Sequence, residues 1–335
     1  MKTPEPLMRA VVVESLGGPE VLNVREVPRP SPAAGEALIE VHRAGVNYTD
    51  LGRRERGWRF PRQPLPVIPG WEIAGRRVSD GVRVVGLLTT GTGGYAEYGV
   101  VPDKLTVPIP DGVEDAAALA VLVQGLTAWH ALVSAARVQA GETVAVTAAA
   151  GGVGSLAIQI ARLQGAARVI AVASTEDKRR LTLGLGADAA IDGTPEGFAD
   201  RLREANNGAS VDVVLESVGG PIVDAALTAL AHGGRLVAYG QASGASNIVS
   251  LDDLMDHSIG VFGYWALPHM HDLAGTRRTI KHLLRHLANE RLRTVQGPSF
   301  PIGDTAQAHT SIATRATVGK VTLVVDEAAW SAGQH

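Results

Sequence analysis

The chain has 335 residues, 31 Lys and Arg against 34 Asp and Glu, 39 glycines and no cysteine. That length exceeds one ordinary core and suits two domains, while the missing cysteines exclude disulfides, thiolate nucleophiles and cysteine-ligated zinc. A net charge of −3 gives no general pull toward nucleic acid or a membrane surface; no apolar run reaches the ~20 residues of a bilayer span, and the start MKTPEPLMR lacks a signal core, so the expectation is a cytoplasmic protein.

From Arg9 to about Val107, short β-branched runs alternate with Gly and Pro: Ala10–Glu14, Ala37–Ala44, Val82–Leu88 and Tyr95–Val101. They predict a small β-rich barrel. From about Ala116 to Tyr264, helical patterns alternate with strands at Thr143–Ala148, Arg168–Ala173, Ala189–Asp192, Val211–Glu216, Arg235–Tyr239 and Ile259–Tyr264. Such alternation predicts a parallel sheet with helices on both faces. A helix over about Leu273–Arg291 and a strand over Lys320–Asp326 then return the chain to the first domain. The expected division is 1–121, 122–265 and 266–335, the first and last parts forming one discontinuous domain.

The stretch TVAVTAAAGGVGSLAIQIARLQG, residues 143–165, is a strand breaking into a glycine turn and then a helix. Phosphates sit over helix N-termini, where unpaired N–H groups and the dipole favour negative charge, and glycines let the backbone approach. Here the pattern is Ala149-x-Gly151-x-x-Gly154, with Gly152 extra; an ordinary tight strand–helix turn is the competing reading. Its place before a second strand supports a Rossmann dinucleotide site, with Ala150, Gly151, Gly152, Val153 and Gly154 at the phosphates. That second strand ends Ala173-Ser174-Thr175, where an acid would otherwise bind the ribose 2′-OH. A hydroxyl and a lysine suit a 2′-phosphate, so Ser174 and Lys178 predict NADPH; Arg180 reads as a solvated face.

With these segments in place the chain resembles the medium-chain dehydrogenase/reductase superfamily, most closely its zinc-independent quinone oxidoreductase branch. The resemblance rests on GGPEVLNVREVPRPSP, AGVNYTDLGRRERGW, PGWEIAG, VQGLTAWHAL, AAAGGVG, VDVVLESVGG, GGRLVAYGQASG and TRATVGKVTLVV, all in the family's order. It implies a Rossmann-type doubly wound parallel sheet plus a discontinuous GroES-like β-barrel catalytic domain. Zinc members carry cysteine and histidine where this chain has Asn47 and Trp71, and an indole with a carboxamide makes no zinc site. No metal is therefore expected. His282 and His286, one helical turn apart, and His269 with His271 read as surface histidines.

The resemblance also implies roles. Asn47 and Thr127 approach the nicotinamide as catalytic and cofactor-binding residues, although each also suits a turn or helix end. Tyr48, Trp58 and Trp71 line the substrate cleft, Trp58 standing where relatives often have tyrosine. Val218, Gly240, Gln241 and Ser243 follow strand ends, where this fold places ligands. Phe262, Gly263 and Tyr264 offer backbone contacts to the carboxamide. Arg315 and Lys320 match a basic segment that reaches the cofactor in some relatives; for Lys320 an ordinary surface charge is an equal reading. Asp50 reads as a structural partner. Gly193 replaces a tyrosine packed near the 2′-phosphate in many relatives, and WEIAGRRVSDGVRVVG is shorter than the usual loop.

The implied reaction is hydride transfer from nicotinamide to a quinone or α,β-unsaturated carbonyl. Two alternatives are an enoyl-thioester reductase of a biosynthetic pathway and an NADPH-binding RNA- or protein-interaction protein with little turnover. The second draws on the basic stripe Arg277, Arg278, Lys281 and Arg285, which equally suits a solvated face. The apolar last strand of the parallel sheet predicts a homodimer paired edge to edge.

Overall fold

The computed structural model describes residues 6–57 and 64–326, so Trp58 lies outside the described residues. The chain forms two compact units, Met1–Val123 with Leu267–His335, and Gln124–Ala266.

The first unit is built on antiparallel strands: β1 (Leu7–Val12), β2 (Asn23–Pro28), β3 (Glu36–Val46), β4 (Glu72–Arg77), β5 (Arg83–Leu87), β6 (Tyr98–Pro102) and β7 (Thr106–Pro108). On β3 the alternate residues Ala37, Ile39 and Val41 are buried, the period of two that half-buried strands require. At His42 the register against β4 shifts by one residue, Val41 facing Gly75 and Arg43 facing Ala74. This bulge divides β3 between partners. Its first half pairs with β6, Glu36 facing Pro102 through Glu40 facing Tyr98. A helix, Tyr48–Arg56, follows β3 directly. Between β4 and β5 the shortened loop is a tight turn with Gly81 at φ +71°.

The chain leaves this unit through the helical run Asp115–Ala136, whose 22 residues are long and apolar enough to cross a bilayer by length and composition. This corrects the expectation that no segment reaches that length. With 67% of its apolar window buried inside the protein, it is a core helix.

The second unit is a six-stranded parallel sheet. Its strands are β8 (Thr143–Val146), β9 (Arg168–Val172), β10 (Ala189–Ile191), β11 (Val211–Glu216), β12 (Leu230–Ala238) and β13 (Gly260–Gly263). Their spatial order is β10-β9-β8-β11-β12-β13. The order reverses between β8 and β11, the switch point beside which doubly wound sheets bind ligands. All four residues of β8 are buried, as a central strand covered on both faces requires. Ile170, Phe198, Leu202, Val214 and Leu236 belong to one apolar core. The expected strand Arg235–Tyr239 starts earlier than its apolar run indicates, because Leu230 already faces Val211 across a register shift.

Beyond the helix Leu273–Ala288, the chain adds β14 (Gln296–Pro301), the helix Thr305–Ala313 and β15 (Lys320–Val324) to the first unit. β15 runs antiparallel to the second half of β3, with Val321 facing Val46.

Candidate functional site

Three strand ends meet in the first unit: the end of β3, the start of β4 and the start of β15. The register places Ile73 opposite Ala44 and Val321 opposite Val46, so Asn47, Glu72 and Lys320 come together. Glu72 and Lys320 have fully buried side chains and form an ion pair. The Lys320 ammonium also donates to Asn47 Oδ1 at 2.9 Å and to the Val46 carbonyl at 3.3 Å. Glu72 Oε1 accepts from Asn47 Nδ2 at 2.8 Å, and its Oε2 from the Val123 N–H at 2.7 Å. A Cβ on Gly45 would lie 2.3 Å from Glu72 Oε1, so glycine there makes room for the carboxylate. Because an ammonium only donates and a carboxylate only accepts, the Asn47 carboxamide has one orientation.

A second buried chain starts from Asn47. Its backbone N–H donates to Asp50 Oδ2 at 2.8 Å, and the Tyr95 hydroxyl donates to the same oxygen at 2.9 Å. Behind Tyr95, His309 Nε2 lies 3.4 Å from the hydroxyl, and Arg54 donates to His309 Nδ1 at 3.1 Å. Arginine has no acceptor, so Nδ1 is unprotonated and Nε2 carries the proton. Burial, with Arg54 beside it, pushes His309 down to about 3, keeping it neutral. Burial pushes Asp50 up to about 6 against the pull of the Asn47 N–H, Tyr95 and Lys320. The donors all point toward the Asp50 carboxylate, which in turn fixes the backbone at Asn47.

This donor set does not fit zinc. Neither the Asn47 carboxamide nor the Trp71 indole supplies a zinc ligand, and the ammonium of Lys320 already neutralises Glu72. Among the described residues no three His, Asp or Glu side chains group as metal ligands. His282 and His286 bond to each other, Nε2 to Nε2 at 3.0 Å.

In the second unit, β8 ends in a turn where Ala148 takes φ +46°, a conformation that costs energy for any residue but glycine. The Gly151 N–H bonds back to the Ala148 carbonyl at 2.9 Å, and the helix Gly152–Leu163 begins. A Cβ on Gly154 would lie 2.6 Å from the Ala148 carbonyl oxygen and 2.6 Å from Ala149 Cα, so this glycine permits helix and turn to touch. Neither Gly151 nor Gly152 places a side chain over the helix N-terminus. The cradle fits a pyrophosphate. Thr147 Oγ1 donates to the Leu215 carbonyl at 3.2 Å and accepts from the Ser217 N–H at 3.0 Å, joining the ends of β8 and β11. Glu216, raised by burial, accepts from the N–H groups of Val218 at 2.7 Å and Gly219 at 3.0 Å, setting the turn that carries Val218.

At the end of β9, Ser174 is exposed and Thr175 caps the helix Glu176–Gly184, accepting from the Lys178 N–H at 3.3 Å. Lys178 is half-buried in the first turn of that helix. Glu176 and Asp177 precede it, paired with Arg179 and Arg180 respectively. Arg179 also donates to the Ala173 carbonyl at 3.1 Å, a contact with no signal in the sequence. Gly240, Gln241 and Ser243 form the loop after β12, where the Ser243 N–H bonds to the Val218 carbonyl at 2.6 Å. Thr127 is buried in the segment Leu126–Trp129, between two wider π-type turns.

Two expected roles need correction. Lys320, expected to reach the cofactor or lie on the surface, is 1% exposed and committed to Glu72 and Asn47. Trp71, expected to wall the substrate cleft, is 3% exposed, with the Arg53 guanidinium over its ring at 5.3 Å. Tyr48 is 43% exposed. Arg315 is exposed in a left-handed turn after the helix Thr305–Ala313. Phe262 and Gly263 lie on the exposed edge of β13, whereas Tyr264 is buried against His130 with the rings stacked at 6.3 Å.

Comparison with known proteins agrees with this construction. Residues 33–111 match the alcohol dehydrogenase GroES-like domain, and residues 152–287 match the zinc-binding dehydrogenase family. A probable quinone oxidoreductase from Schizosaccharomyces pombe is 34% identical over 334 residues, covering 95% of this chain and 97% of that protein. The quinone oxidoreductase of Thermus thermophilus, solved also as its complex with NADPH, is 36% identical with a TM-score of 0.85, covering 95% of this chain and 100% of that one. A mycobacterial protein solved in complex with NADPH gives 33% identity and a TM-score of 0.87 over the same shares. The parallel sheet with its glycine turn, the antiparallel unit and these relatives place the chain in the medium-chain dehydrogenase/reductase superfamily, in its quinone oxidoreductase branch.

Proposed function

We propose that this oxidoreductase is NADPH-dependent and zinc-independent, and that it reduces a quinone or an α,β-unsaturated carbonyl. The observation that carries this reading is the Lys320–Glu72–Asn47 cluster. It fixes the Asn47 carboxamide, where the resemblance implies that zinc members carry cysteine, against an ammonium already paired with Glu72. This set offers no zinc polarisation of an alcohol but leaves hydride chemistry open. NADPH supplies the hydride at its nicotinamide ring. The glycine turn binds the pyrophosphate, and Ser174 with Lys178 receives the 2′-phosphate. Lys320 and Glu72 hold the Asn47 carboxamide, and Asp50 holds its backbone, so that Asn47 orients the nicotinamide end or the acceptor. Among the described residues Asp50 and His309 are buried, and this reading takes water as the proton source for the reduced acceptor.

A panel of quinones, enones and enoyl thioesters, followed by NADPH absorbance, tests the reading. Turnover of quinones or enones supports it; turnover confined to enoyl thioesters favours the biosynthetic alternative, and no turnover at all refutes it. The RNA reading loses support because Arg277 donates to the carbonyls of Asp103, Lys104 and Thr106. We further propose a homodimer paired through β13, which ends the sheet and leaves Phe262 47% exposed. A solution mass near 34.9 kDa by light scattering would overturn it.

A further inference from the structure

We propose that Gln124 is a pyrophosphate-binding residue of the dinucleotide site, donating its carboxamide N–H to a phosphate oxygen. The proposal rests on the NADPH reading above. Three observations lead to it.

The first is position. A Cβ built on Gly152 would lie 2.2 Å from Cδ, Oε1 and Nε2 of Gln124. Three atoms of one planar group equidistant from that point mean that the carboxamide lies flat over Gly152, the first residue of the helix Gly152–Leu163. The extra glycine of the turn is thus explained by Gln124: any larger residue at 152 would expel the amide from the helix N-terminus.

The second is an unmet hydrogen bond. Gln124 is 9% exposed, and its Oε1 is buried with no partner among the described residues. A buried amide with an unpaired end is costly and unusual in a native protein. Rotation about the last side-chain torsion exchanges the two ends, so the same place can present N–H instead of C=O.

The third is the chemistry of the place. The helix N-terminus attracts an anion, and an anion there needs donors. Gly151, Gly152, Val153 and Gly154 carry no side-chain donor, so this stretch of the turn offers the phosphates backbone N–H groups only. Gln124 adds one neutral donor, directed by its seat on Gly152. Its contact differs in kind from that of Lys178: the pyrophosphate is common to NADPH and NADH, whereas the 2′-phosphate is not.

The test measures binding by calorimetry in the full chain, with NADPH, NADH and 2′-AMP as probes. 2′-AMP carries the ribose phosphate but no pyrophosphate. Gln124→Ala is expected to weaken NADPH and NADH alike by about tenfold, and Gln124→Glu by more, because a carboxylate faces the phosphates. Binding of 2′-AMP is expected to stay within about twofold in both variants, which also reports that the unit remains folded. Unchanged NADPH affinity in Gln124→Ala overturns the proposal, as does equal loss of 2′-AMP and NADPH. So does a Gln124→Glu variant that binds NADPH as tightly as the parent, since that outcome assigns the amide to a hydroxyl donor. A parent protein that binds 2′-AMP and NADPH no better than adenosine would instead refute the NADPH reading itself.

Discussion

Replacing Lys320 by methionine keeps the length of the side chain and deletes its charge. In the folded chain this leaves the Glu72 carboxylate fully buried with two remaining donors, Asn47 Nδ2 and the Val123 N–H. Asn47 Oδ1 and the Val46 carbonyl each lose a donor as well. Breaking one side of a buried ion pair costs about 3–5 kcal/mol, a large share of the roughly 5–15 kcal/mol that stabilises a folded protein. Glu72→Gln alone leaves the ammonium uncompensated and is expected to cost a similar amount. The double variant Lys320→Met/Glu72→Gln removes both charges and is expected to recover most of the loss, because a neutral replacement of a buried pair is often close to neutral. Urea unfolding followed by tryptophan emission suits the measurement, since Trp71 is buried in the same unit. The four proteins form a double-mutant cycle with an expected coupling of several kcal/mol, beyond the roughly 0.5–3 kcal/mol usual for residues in contact. A single-variant cost below about 1 kcal/mol, or strict additivity in the double variant, would refute the buried pair.

Other outcomes follow from particular contacts. Lys178→Ala should weaken NADPH by about tenfold or more and leave NADH nearly unchanged, measured by titration of cofactor fluorescence. Gly154→Ala puts a methyl group 2.6 Å from backbone atoms of the turn, so it should destabilise the second unit by about 1–3 kcal/mol and weaken both cofactors, read by thermal unfolding and titration. His309 is depressed from 6.5 to about 3 in the folded chain. The unfolded chain therefore binds a proton that the folded chain refuses, and stability falls as the pH drops below 6.5, at about 1.4 kcal/mol per pH unit until about 3. Asp50, raised from 3.8 to about 6, acts in the opposite direction: the folded chain holds its proton more tightly, so between about 6 and 3.8 acidification gains stability and offsets His309. His309→Gln should accordingly stay folded to lower pH than the parent in an acid titration by circular dichroism; an unchanged acid midpoint would remove His309 from the balance.

The second unit was readable in the sequence because its signals are local. A buried strand, the glycine turn, a helix and the next strand occupy one continuous stretch, and Ser174 and Lys178 follow at its end. The first unit was readable only in part. Exposed or short strands such as β2 and β14 carry little apolar alternation, and their pairing depends on distant segments. The buried chain from Asp50 through Tyr95 to His309 joins residues 45 and 214 positions apart. No spacing rule reaches across such distances. Lys320 shows the same limit: a lysine in a basic tail reads as a cofactor or surface charge until β15 is laid against β3 and its ammonium meets Glu72, 248 positions away. Gln124 stood within a recognisable segment, but its meaning came only from its carboxamide lying where a side chain at Gly152 would be.

The missing acid at the end of β9 carries the cofactor preference, and affinity of the unmodified protein for the two nicotinamide cofactors tests it most directly. Calorimetric titration at one ionic strength should give a dissociation constant for NADPH at least about tenfold below that for NADH, the amount a charge-assisted phosphate contact supplies. Equal constants, or tighter binding of NADH, would contradict the assignment of Ser174 and Lys178 to the 2′-phosphate.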